Sequence, residues 1–419
     1  MDGGYGGAAA AFLAENGVGA GDRVRITADA EYVGLVMPAY GGGGDGHLVL
    51  KLENGYNVGI GIDGIGGIRR EPDAADVQEA APAAPRAGEG LPRLLLLSTG
   101  GTIASWVDYR TGAVRPALSA GELAALVPEL ADIADIEAES LLSEYSENIN
   151  PGHWVRMAGR IAECASYDGI LVAHGTDTMH YTSAYLSFAL SGFPRPVVLV
   201  GAQRSSDRPS SDAATNLVGA ARFITSAGRP GVWVAMHLGT GDDAIAVHAG
   251  TRVRKNHASK RGAFETIGAP PAFVVRDEKI DENFARDYFA SSEFAPRIGA
   301  DQSAVLLKCH PGLPVHMFEH AADTCGAVIL EGTGLGHADR SLLGAIRGAV
   351  SRGVFVGMAT QCIGGRVDMD VYGSGRDLQE AGVVPLPMVP EAALAKAIWI
   401  AGTGGGMGRM LEPVASEMG

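Results

Sequence analysis

The stretch LLLLSTGGTIA, from Leu94 to Ala104, decides the fold of this chain. Its short apolar run predicts a strand buried on both faces, as in a parallel sheet covered by helices. Ligand sites in open α/β sheets lie beyond the carboxyl ends of the strands, where glycines allow close backbone approach. Thr102 would present its hydroxyl there, although a tight strand exit capped by threonines is the structural alternative. No Gly-Lys-Ser/Thr or Gly-x-Gly-x-x-Gly pattern follows, which excludes phosphate-loop and dinucleotide fingerprints.

A second strand exit of the same kind follows further along the chain. The apolar run Gly169–Ala173 leads directly into HGTDT, residues 174 to 178, which again combines glycine with hydroxyl side chains. Strand and helix patterns alternate around both runs, which predicts an α/β fold with a parallel sheet. Asp177 could simply cap the helix that begins there. Two Gly-Thr strand exits in one sheet nevertheless favour a functional interpretation over a purely structural one.

A third candidate is the basic stretch RVRKNH, residues 252 to 257. A lysine can serve as the base for a hydroxyl nucleophile when burial or neighbouring cations disfavour its charged form. Lys255 is therefore a candidate catalytic base. The alternative for this stretch alone is a solvated basic loop.

The composition excludes several functional classes. The 419 residues carry 33 basic and 48 acidic side chains, a formal net charge of −15, so the surface as a whole repels nucleic-acid phosphates. No apolar run approaches the ~20 residues that a membrane helix requires. Four scattered cysteines support neither a disulfide framework nor a zinc site. These features predict a protein of the reducing cytoplasm.

Changes in pattern divide the chain into five segments. Short β-prone runs with turn residues between them predict a small β-barrel, and an Ala/Pro/Glu-rich stretch predicts a solvated tether. Two α/β units follow, with an irregular, charged run over residues 273–298. The predicted division is 1–20 for a ragged N-terminus, 21–70 for the small β-barrel, 71–92 for the linker, 93–290 for the large α/β domain and 291–419 for the smaller α/β domain.

Together the motifs resemble the two active-site signatures of the L-asparaginase/glutaminase family, over residues 90 to about 415. The resemblance implies an asparaginase-like two-domain parallel-sheet core and amide hydrolysis through a threonine acyl-enzyme, without a metal or organic cofactor. Backbone N–H groups of the two glycine-rich turns would bind the oxyanion. Either threonine could attack first. The implied catalytic residues are Thr102, Thr176, Asp177, Lys255 and Tyr109, and the implied substrate-binding residues are Ser146, Glu147 and Asp177.

The segments before the first signature narrow this family. GDRV (21–24), GLVMP (34–38) and LKLENGYNVGI (50–60) resemble the D-type subunit of archaeal glutamyl-tRNA(Gln) amidotransferases. That resemblance implies a cytoplasmic glutaminase component that hydrolyses glutamine and passes ammonia to the E-type subunit of the same amidotransferase. The E-type subunit would bind Glu-tRNA(Gln) and use ATP and Mg to form Gln-tRNA(Gln). A homodimer core within a heterotetramer is implied as well.

Two other functions remain as alternatives. One is a free-standing L-asparaginase with an accessory β-domain, against which the N-terminal segments argue. The other is a non-catalytic α/β binding or scaffolding protein, because a fold alone does not establish an activity. The set Thr102, Thr176, Asp177 and Lys255 argues against a scaffold.

Overall fold

The computed structural model describes residues 4–38, 46–52, 57–71, 90–101, 103, 105–107, 114–116, 127–204, 211–283 and 294–418. For residues 57, 105–107 and 114–116 it describes the backbone alone. Most of the predicted linker and the predicted catalytic residues Thr102 and Tyr109 lie outside this set. No helix within these ranges combines the length and the apolar character that a membrane crossing requires.

The N-terminal domain is an antiparallel sheet with one helix, α1 (Gly7–Glu15). Its strands are β1 (Arg23–Thr27), β2 (Glu31–Val36), β3 (His47–Leu52), β4 (Asn57–Gly61) and β5 (Gly67–Arg70), paired in the order β4-β3-β2-β1-β5. The helix buries Ala9 and Leu13 in the core of this domain. The prediction of a ragged stretch over residues 1–20 is therefore wrong, because these apolar side chains anchor a helix that the Gly/Ala composition conceals.

The large α/β domain contains twelve described strands. They are β6 (Arg93–Gly100), β7 (Ser105–Val107), β8 (Val114–Pro116), β9 (Asp135–Glu144), β10 (Gly169–Ala173), β11 (Pro196–Val200), β12 (Gly231–His237), β13 (Ile245–Ala249), β14 (Val253–Lys255), β15 (Phe264–Thr266), β16 (Phe273–Arg276) and β17 (Lys279–Glu282). Eight of them form one sheet in the order β17-β16-β13-β12-β11-β10-β6-β9, while β7 pairs with β8 and β14 with β15. Five neighbouring strands run parallel to one another: β9, β6, β10, β11 and β12. The sheet continues from β12 with three strands that each pair antiparallel with their neighbour: β13, β16 and β17.

The leucine run of β6 explains why helices cover both faces of this sheet. All four leucines are fully buried: Leu95 and Leu97 pack on one face, and Leu94 and Leu96 pack on the other. Side chains alternate across a strand, so a strand with no polar face needs cover on both sides. The covering helices are α2 (Pro151–Ala162) and α3 (Met179–Ala189) on one face and α4 (Ala213–Ala227) on the other.

One part of the sheet differs from the sequence prediction. The charged run over residues 273–298 is predicted to be irregular, but its first half forms the hairpin of β16 and β17. Phe273 and Val275 are buried in the core while the turn carries charged residues, including Asp277 at φ +49°. The apolar side chains of this hairpin therefore determine its structure, and its charged residues lie at or near the surface.

The smaller α/β domain has a four-stranded parallel sheet. Its elements are β18 (Ala304–Lys308), α5 (Val315–Thr324), β19 (Ala327–Gly332), α6 (Leu343–Ser351), β20 (Phe355–Thr360), α7 (Gly373–Glu380), β21 (Val384–Pro385) and α8 (Pro390–Gly402). The strand order is β18-β19-β20-β21. The two-domain parallel-sheet core predicted from the alternating pattern is confirmed.

The last helix joins the two α/β domains through a common hydrophobic core. Trp399 of α8 stacks on Phe188 of α3 with ring centroids 5.8 Å apart. One contiguous cluster includes Leu95 of the large sheet, Ile329 of the smaller sheet and Ile400 of α8. The two domains therefore bury a single core between them.

The C-terminal residues are held by a buried ion pair between Lys396 of the same helix and Glu417. Lys396 Nζ donates to Glu417 and to the carbonyl oxygens of Met410 and Glu412, the latter two at 3.0 and 2.5 Å. Neither side chain of the Lys396–Glu417 pair is exposed. Glu417 also accepts hydrogen bonds from the backbone N–H groups of Val414 and Ala415. Both charged groups of the pair therefore have further hydrogen-bond partners that offset the loss of water.

We expect Lys396→Met to lower the free energy of unfolding by about 3–5 kcal/mol, because it leaves the buried Glu417 carboxylate without its counter-charge. Urea unfolding followed by tryptophan fluorescence measures this loss. Arg352→Met, which breaks an exposed pair with Asp323, is the matched control and should cost about 1 kcal/mol or less. Equal losses in the two variants would contradict the burial argument.

Candidate active site

Two glycine-containing turns lie against each other at the carboxyl edge of the eight-stranded sheet. β6 and β10 are parallel neighbours with Ser98 opposite Ala173, so the residues that follow them leave the sheet side by side. Gly101 has a φ of +80°, and a Cβ atom there would lie 2.4 Å from the Cα atom of Gly175. The left-handed backbone and the close approach together require glycine. The two strand exits therefore meet.

The second exit brings three of the predicted catalytic residues together. Lys255 Nζ donates to Thr176 Oγ1 at 2.8 Å and to Asp177 Oδ1 at 2.5 Å. The side chains of Lys255 and Asp177 are 7% and 67% exposed, and Thr176 is 6% exposed. A solvated basic loop is therefore the wrong interpretation for Lys255. Its amine is buried against a hydroxyl, and the neighbouring carboxylate reaches solvent.

The start of helix α3 excludes the structural alternative for Asp177. The helix begins at Met179, and Thr178 occupies the N-cap position. The Thr178 hydroxyl donates to the carbonyl oxygen of Ser146 at 2.6 Å. The Asp177 carboxylate accepts a hydrogen bond from Lys255, so it orients the lysine and does not cap the helix.

The predicted substrate-binding residues Ser146 and Glu147 lie in a short 3₁₀ turn after β9. Ser146 is buried, and its hydroxyl oxygen would lie 3.0 Å from a Cβ atom placed on Gly175. Glu147 is exposed. β9 flanks β6 on the side opposite β10, so three parallel strands deliver their following residues to one place.

The first exit is described only in part. Gly101 and Ile103 are buried, whereas Thr102 and Tyr109 lie outside the described residues, so their catalytic roles stay predictions. The backbone N–H of Gly101 donates to the carbonyl oxygen of Glu144 at 3.1 Å. This N–H is therefore engaged in pairing the turn to β9 and does not serve as an oxyanion donor.

A neutral histidine supports the second turn from below. His174 Nδ1 lies 2.6 Å from the carbonyl oxygen of Gly175, and its Nε2 lies 3.0 Å from the Thr182 hydroxyl. That hydroxyl in turn accepts a hydrogen bond from the Trp154 indole at 3.0 Å. A proton assigned to Nδ1 satisfies every group in this chain of hydrogen bonds. Burial lowers the pKa of His174 to about 4, which keeps the ring neutral.

Sequence reasoning missed a charged cluster beside this site. Arg254, the residue before Lys255, donates from Nε to Glu391 at 2.8 Å and from Nη2 to Glu331 at 3.4 Å. Both glutamates are buried and belong to the smaller domain. The available signal was a glutamate directly after the helix-starting Pro390, at the head of a helix whose one other charged side chain is Lys396. No three His, Cys, Asp or Glu side chains are grouped to hold a metal ion in the part of the chain that the structure describes.

Three buried histidines make stability depend on pH. Burial lowers the pKa of His174 to about 4 and those of His180 and His248 to about 3. In the unfolded chain a histidine binds its proton near pH ~6.5. Between that pH and the lowered values the unfolded state binds more protons, so the free energy of unfolding falls as the pH falls.

We expect the free energy of unfolding to drop by ~1.4 kcal/mol per pH unit for each of these histidines between pH ~6.5 and ~4. His248→Gln removes one such group and should make the dependence shallower by that amount. Exposed His257→Gln is the control and should leave the slope unchanged. Denaturant unfolding at a series of pH values measures the slopes, and identical slopes for wild type and His248→Gln would refute the assignment.

Comparison with protein-family models divides the chain into three matched regions. Residues 93–287 match the N-terminal asparaginase model, and residues 304–409 match the glutaminase/asparaginase C-terminal domain. Residues 18–69 match the GatD N-terminal domain.

Solved L-asparaginases share the fold. The thermostable enzyme of Thermococcus kodakarensis has a TM-score of 0.71 at 33% identity, covering 78% of this chain and 99% of that chain. L-asparaginase I of Vibrio cholerae has a TM-score of 0.66 at 26% identity, with the same two coverages. The predicted asparaginase-like core is therefore confirmed.

Curated relatives match over nearly the whole length. The D-type subunit of glutamyl-tRNA(Gln) amidotransferase from Pyrococcus abyssi is 43% identical over 403 residues, which cover 93% of this chain and 92% of the relative. Its counterpart from Thermococcus kodakarensis is 44% identical over 405 residues, covering 93% and 91%. These relatives therefore match a larger share of this chain than the solved asparaginases do.

Proposed function

The chain belongs to the family of D-type subunits of glutamyl-tRNA(Gln) amidotransferase, which are asparaginase-family amidohydrolases, and we propose that it is the glutaminase of such a complex. It hydrolyses glutamine to glutamate and ammonia, and supplies the ammonia to a partner that converts Glu-tRNA(Gln) to Gln-tRNA(Gln). The observation that carries this proposal is the buried contact of Lys255 with Thr176 and Asp177.

The chemistry requires a base for a hydroxyl nucleophile, because a threonine hydroxyl is a poor nucleophile while it keeps its proton. Lys255 in its neutral form, held by Asp177, accepts the proton of the Thr176 hydroxyl across the 2.8 Å contact. A threonine oxygen attacks the side-chain amide carbon, and the amide nitrogen takes up a proton and leaves as ammonia. Water then cleaves the acyl-enzyme ester to give glutamate and restore the hydroxyl. By family resemblance, Tyr109 serves Thr102 in the same way.

The polar groups around this pair suit the backbone of an amino acid. The Asp177 carboxylate reaches solvent and would bind the α-ammonium group of glutamine, with Glu147 beside it. The Ser146 hydroxyl lies against Gly175 and would bind the α-carboxylate. The groups that recognise the substrate therefore surround the groups that cleave it, which fixes the amide relative to the threonine.

The remaining steps belong to the partner. We propose that this chain needs no cofactor, and that the E-type subunit of the amidotransferase binds the tRNA and uses ATP and Mg to activate the glutamyl group. A net charge of −15 is consistent with a division of labour in which the partner contacts RNA. A homodimer of this chain, with two copies of the E-type partner, completes the proposed cytoplasmic assembly.

We expect Lys255→Met and Thr176→Val each to lower the kcat of glutamine hydrolysis by about 100-fold or more, because each removes one member of the nucleophile–base pair. The double variant should lose little beyond either single one, since the two act as a unit. Ammonia release by the folded proteins measures these rates. Exposed Lys260→Met is the matched lysine control and should retain wild-type activity. Wild-type rates in Lys255→Met would remove the lysine from the mechanism.

We expect glutamine hydrolysis by the chain alone to be slow and to rise at least about tenfold with the E-type partner carrying Glu-tRNA(Gln). The reason is that binding of the charged partner would favour the conformation of this chain in which the catalytic site is complete. Ammonia release is compared for the chain alone, with the partner, and with the partner plus charged tRNA. Equal rates in all three, with asparagine preferred over glutamine, would instead establish a free-standing L-asparaginase. The likeness to the Thermococcus kodakarensis L-asparaginase favours that second candidate.

A further inference from the structure

A single carboxylate of the smaller domain lies at the junction of the two elements that carry the proposed catalytic pair. Glu391 Oε1 accepts from Arg254 Nε at 2.8 Å, and it lies 3.9 Å from His180 Nε2. Arg254 belongs to β14, which ends in Lys255, and His180 is the second residue of α3, directly after the turn with Thr176. Glu391 therefore hydrogen-bonds to the strand that carries Lys255 and lies close to the start of the helix that follows the turn with Thr176.

Because Arg254 and Lys255 are neighbours in β14, the contacts of Arg254 help to fix the position of Lys255. Consecutive residues of a strand point to opposite faces, so Arg254 reaches into the smaller domain while Lys255 reaches toward Thr176. β14 has three residues and pairs only with the equally short β15 among the described strands. Backbone hydrogen bonds from Asn256 to Ala263 and from Ile267 to Arg252 continue this pairing at both ends. The Arg254 contacts add a restraint from the smaller domain at the residue next to Lys255.

The same carboxylate is placed by the packing of two helices. Glu391 stands at the head of α8 and His180 at the head of α3, and further along the helices Trp399 stacks on Phe188. The two helices therefore run in the same direction, side by side, with both amino-terminal ends at the site. The core contacts of α8 thus fix where the Glu391 carboxylate lies.

The three side chains of this contact are buried, so the charges of Arg254 and Glu391 are held there at a cost in desolvation free energy. The side chains of Arg254, Glu391 and His180 are 15%, 7% and 8% exposed. Within the described residues, Glu391 Oε2 and His180 Nδ1 have no hydrogen-bond partner. A buried ion pair whose carboxylate has an unpartnered oxygen gives little net stability compared with apolar residues of the same size, although removing one of its charges is costly. Burial raises the pKa of the Glu391 carboxyl, and Arg254 opposes that rise. The position of Glu391 beside the site is therefore better explained by a role in positioning its neighbours than by a contribution to the free energy of folding.

We propose that Glu391, acting through Arg254, is a positioning residue that fixes the Lys255 amine against Thr176. This proposal rests on the proposed function, in which Lys255 accepts the proton of the Thr176 hydroxyl. Glu331 is a weaker second partner, because its distance to Arg254 is 3.4 Å and it is shared with the exposed Lys308 at 3.5 Å. Removing the Glu391 charge therefore frees Arg254 to move toward Glu331 and draws β14 with it.

The chain offers a matched control in a second buried ion pair that involves α8. Lys396 of α8 and Glu417 form a buried ion pair, and its hydrogen bonds within the described residues involve none of the proposed catalytic groups. Glu391→Gln and Glu417→Gln each neutralise one buried carboxylate while preserving its shape. Both should lower stability, but only Glu391→Gln should disturb the lysine–threonine contact.

The first measurement is steady-state glutamine hydrolysis by the full chain with its partner and charged tRNA. We expect Glu391→Gln to lower kcat by about tenfold or more with KM changed less than about threefold, since misplacement of a reacting group by ~1 Å can cost about 100-fold. Glu417→Gln should keep the wild-type kcat per folded molecule. If Glu391→Gln does not fold, Glu391→Asp, which keeps the charge on a shorter side chain, replaces it with the same expectation.

The second measurement does not depend on activity. Reductive methylation with formaldehyde, read by mass spectrometry of the Lys255 peptide, reports how accessible the amine is. We expect Lys255 to react several-fold faster in Glu391→Gln than in wild type or Glu417→Gln. Wild-type kcat and a wild-type methylation rate in Glu391→Gln would overturn the proposal. A wild-type protein that hydrolyses no glutamine under any condition would refute the proposed function, and the methylation rates would still decide the role of Glu391.

Discussion

The site depends above all on the parallel pairing of β6 with β10. Because Ser98 lies opposite Ala173, the two turns leave the sheet at the same level and can touch through Gly101 and Gly175. β9 adds its own exit on the far side of β6. A shift of one residue in this register would turn the leucines of β6 to the wrong faces. The core packing and the geometry of the site are therefore set by one strand pairing.

The sequence predicts this arrangement where burial dictates the pattern. The apolar runs of β6 and β10 fix two buried strands, and the shared position of their exits follows from parallel sheet geometry. Helix α1 and the β16–β17 hairpin are missed, because their composition is dominated by alanine or charge while only a few apolar side chains anchor them. Local composition reports the average of a segment, but a handful of buried residues can decide its structure.

The chemistry of the site shows a second limit. The roles of Lys255 and Asp177 rest on family resemblance, since nothing local in a basic stretch shows that its lysine is buried. The contact between Arg254 and Glu391 joins residues 137 positions apart, and depends on how α8 packs on α3. Such contacts arise from tertiary packing, and no period or motif in the sequence encodes them.

The shared core of the two α/β domains also limits how the chain can be recombined. The N-terminal domain buries its own cluster, from Tyr5 to Ile68, and is self-contained in that respect. The α/β domains instead divide one cluster between them, with α8 of the smaller domain completing the packing of α3 in the larger. Exchange between relatives at the first boundary preserves both cores, whereas exchange at the second separates surfaces that fit only each other. The two α/β domains are therefore expected to be inherited as one unit.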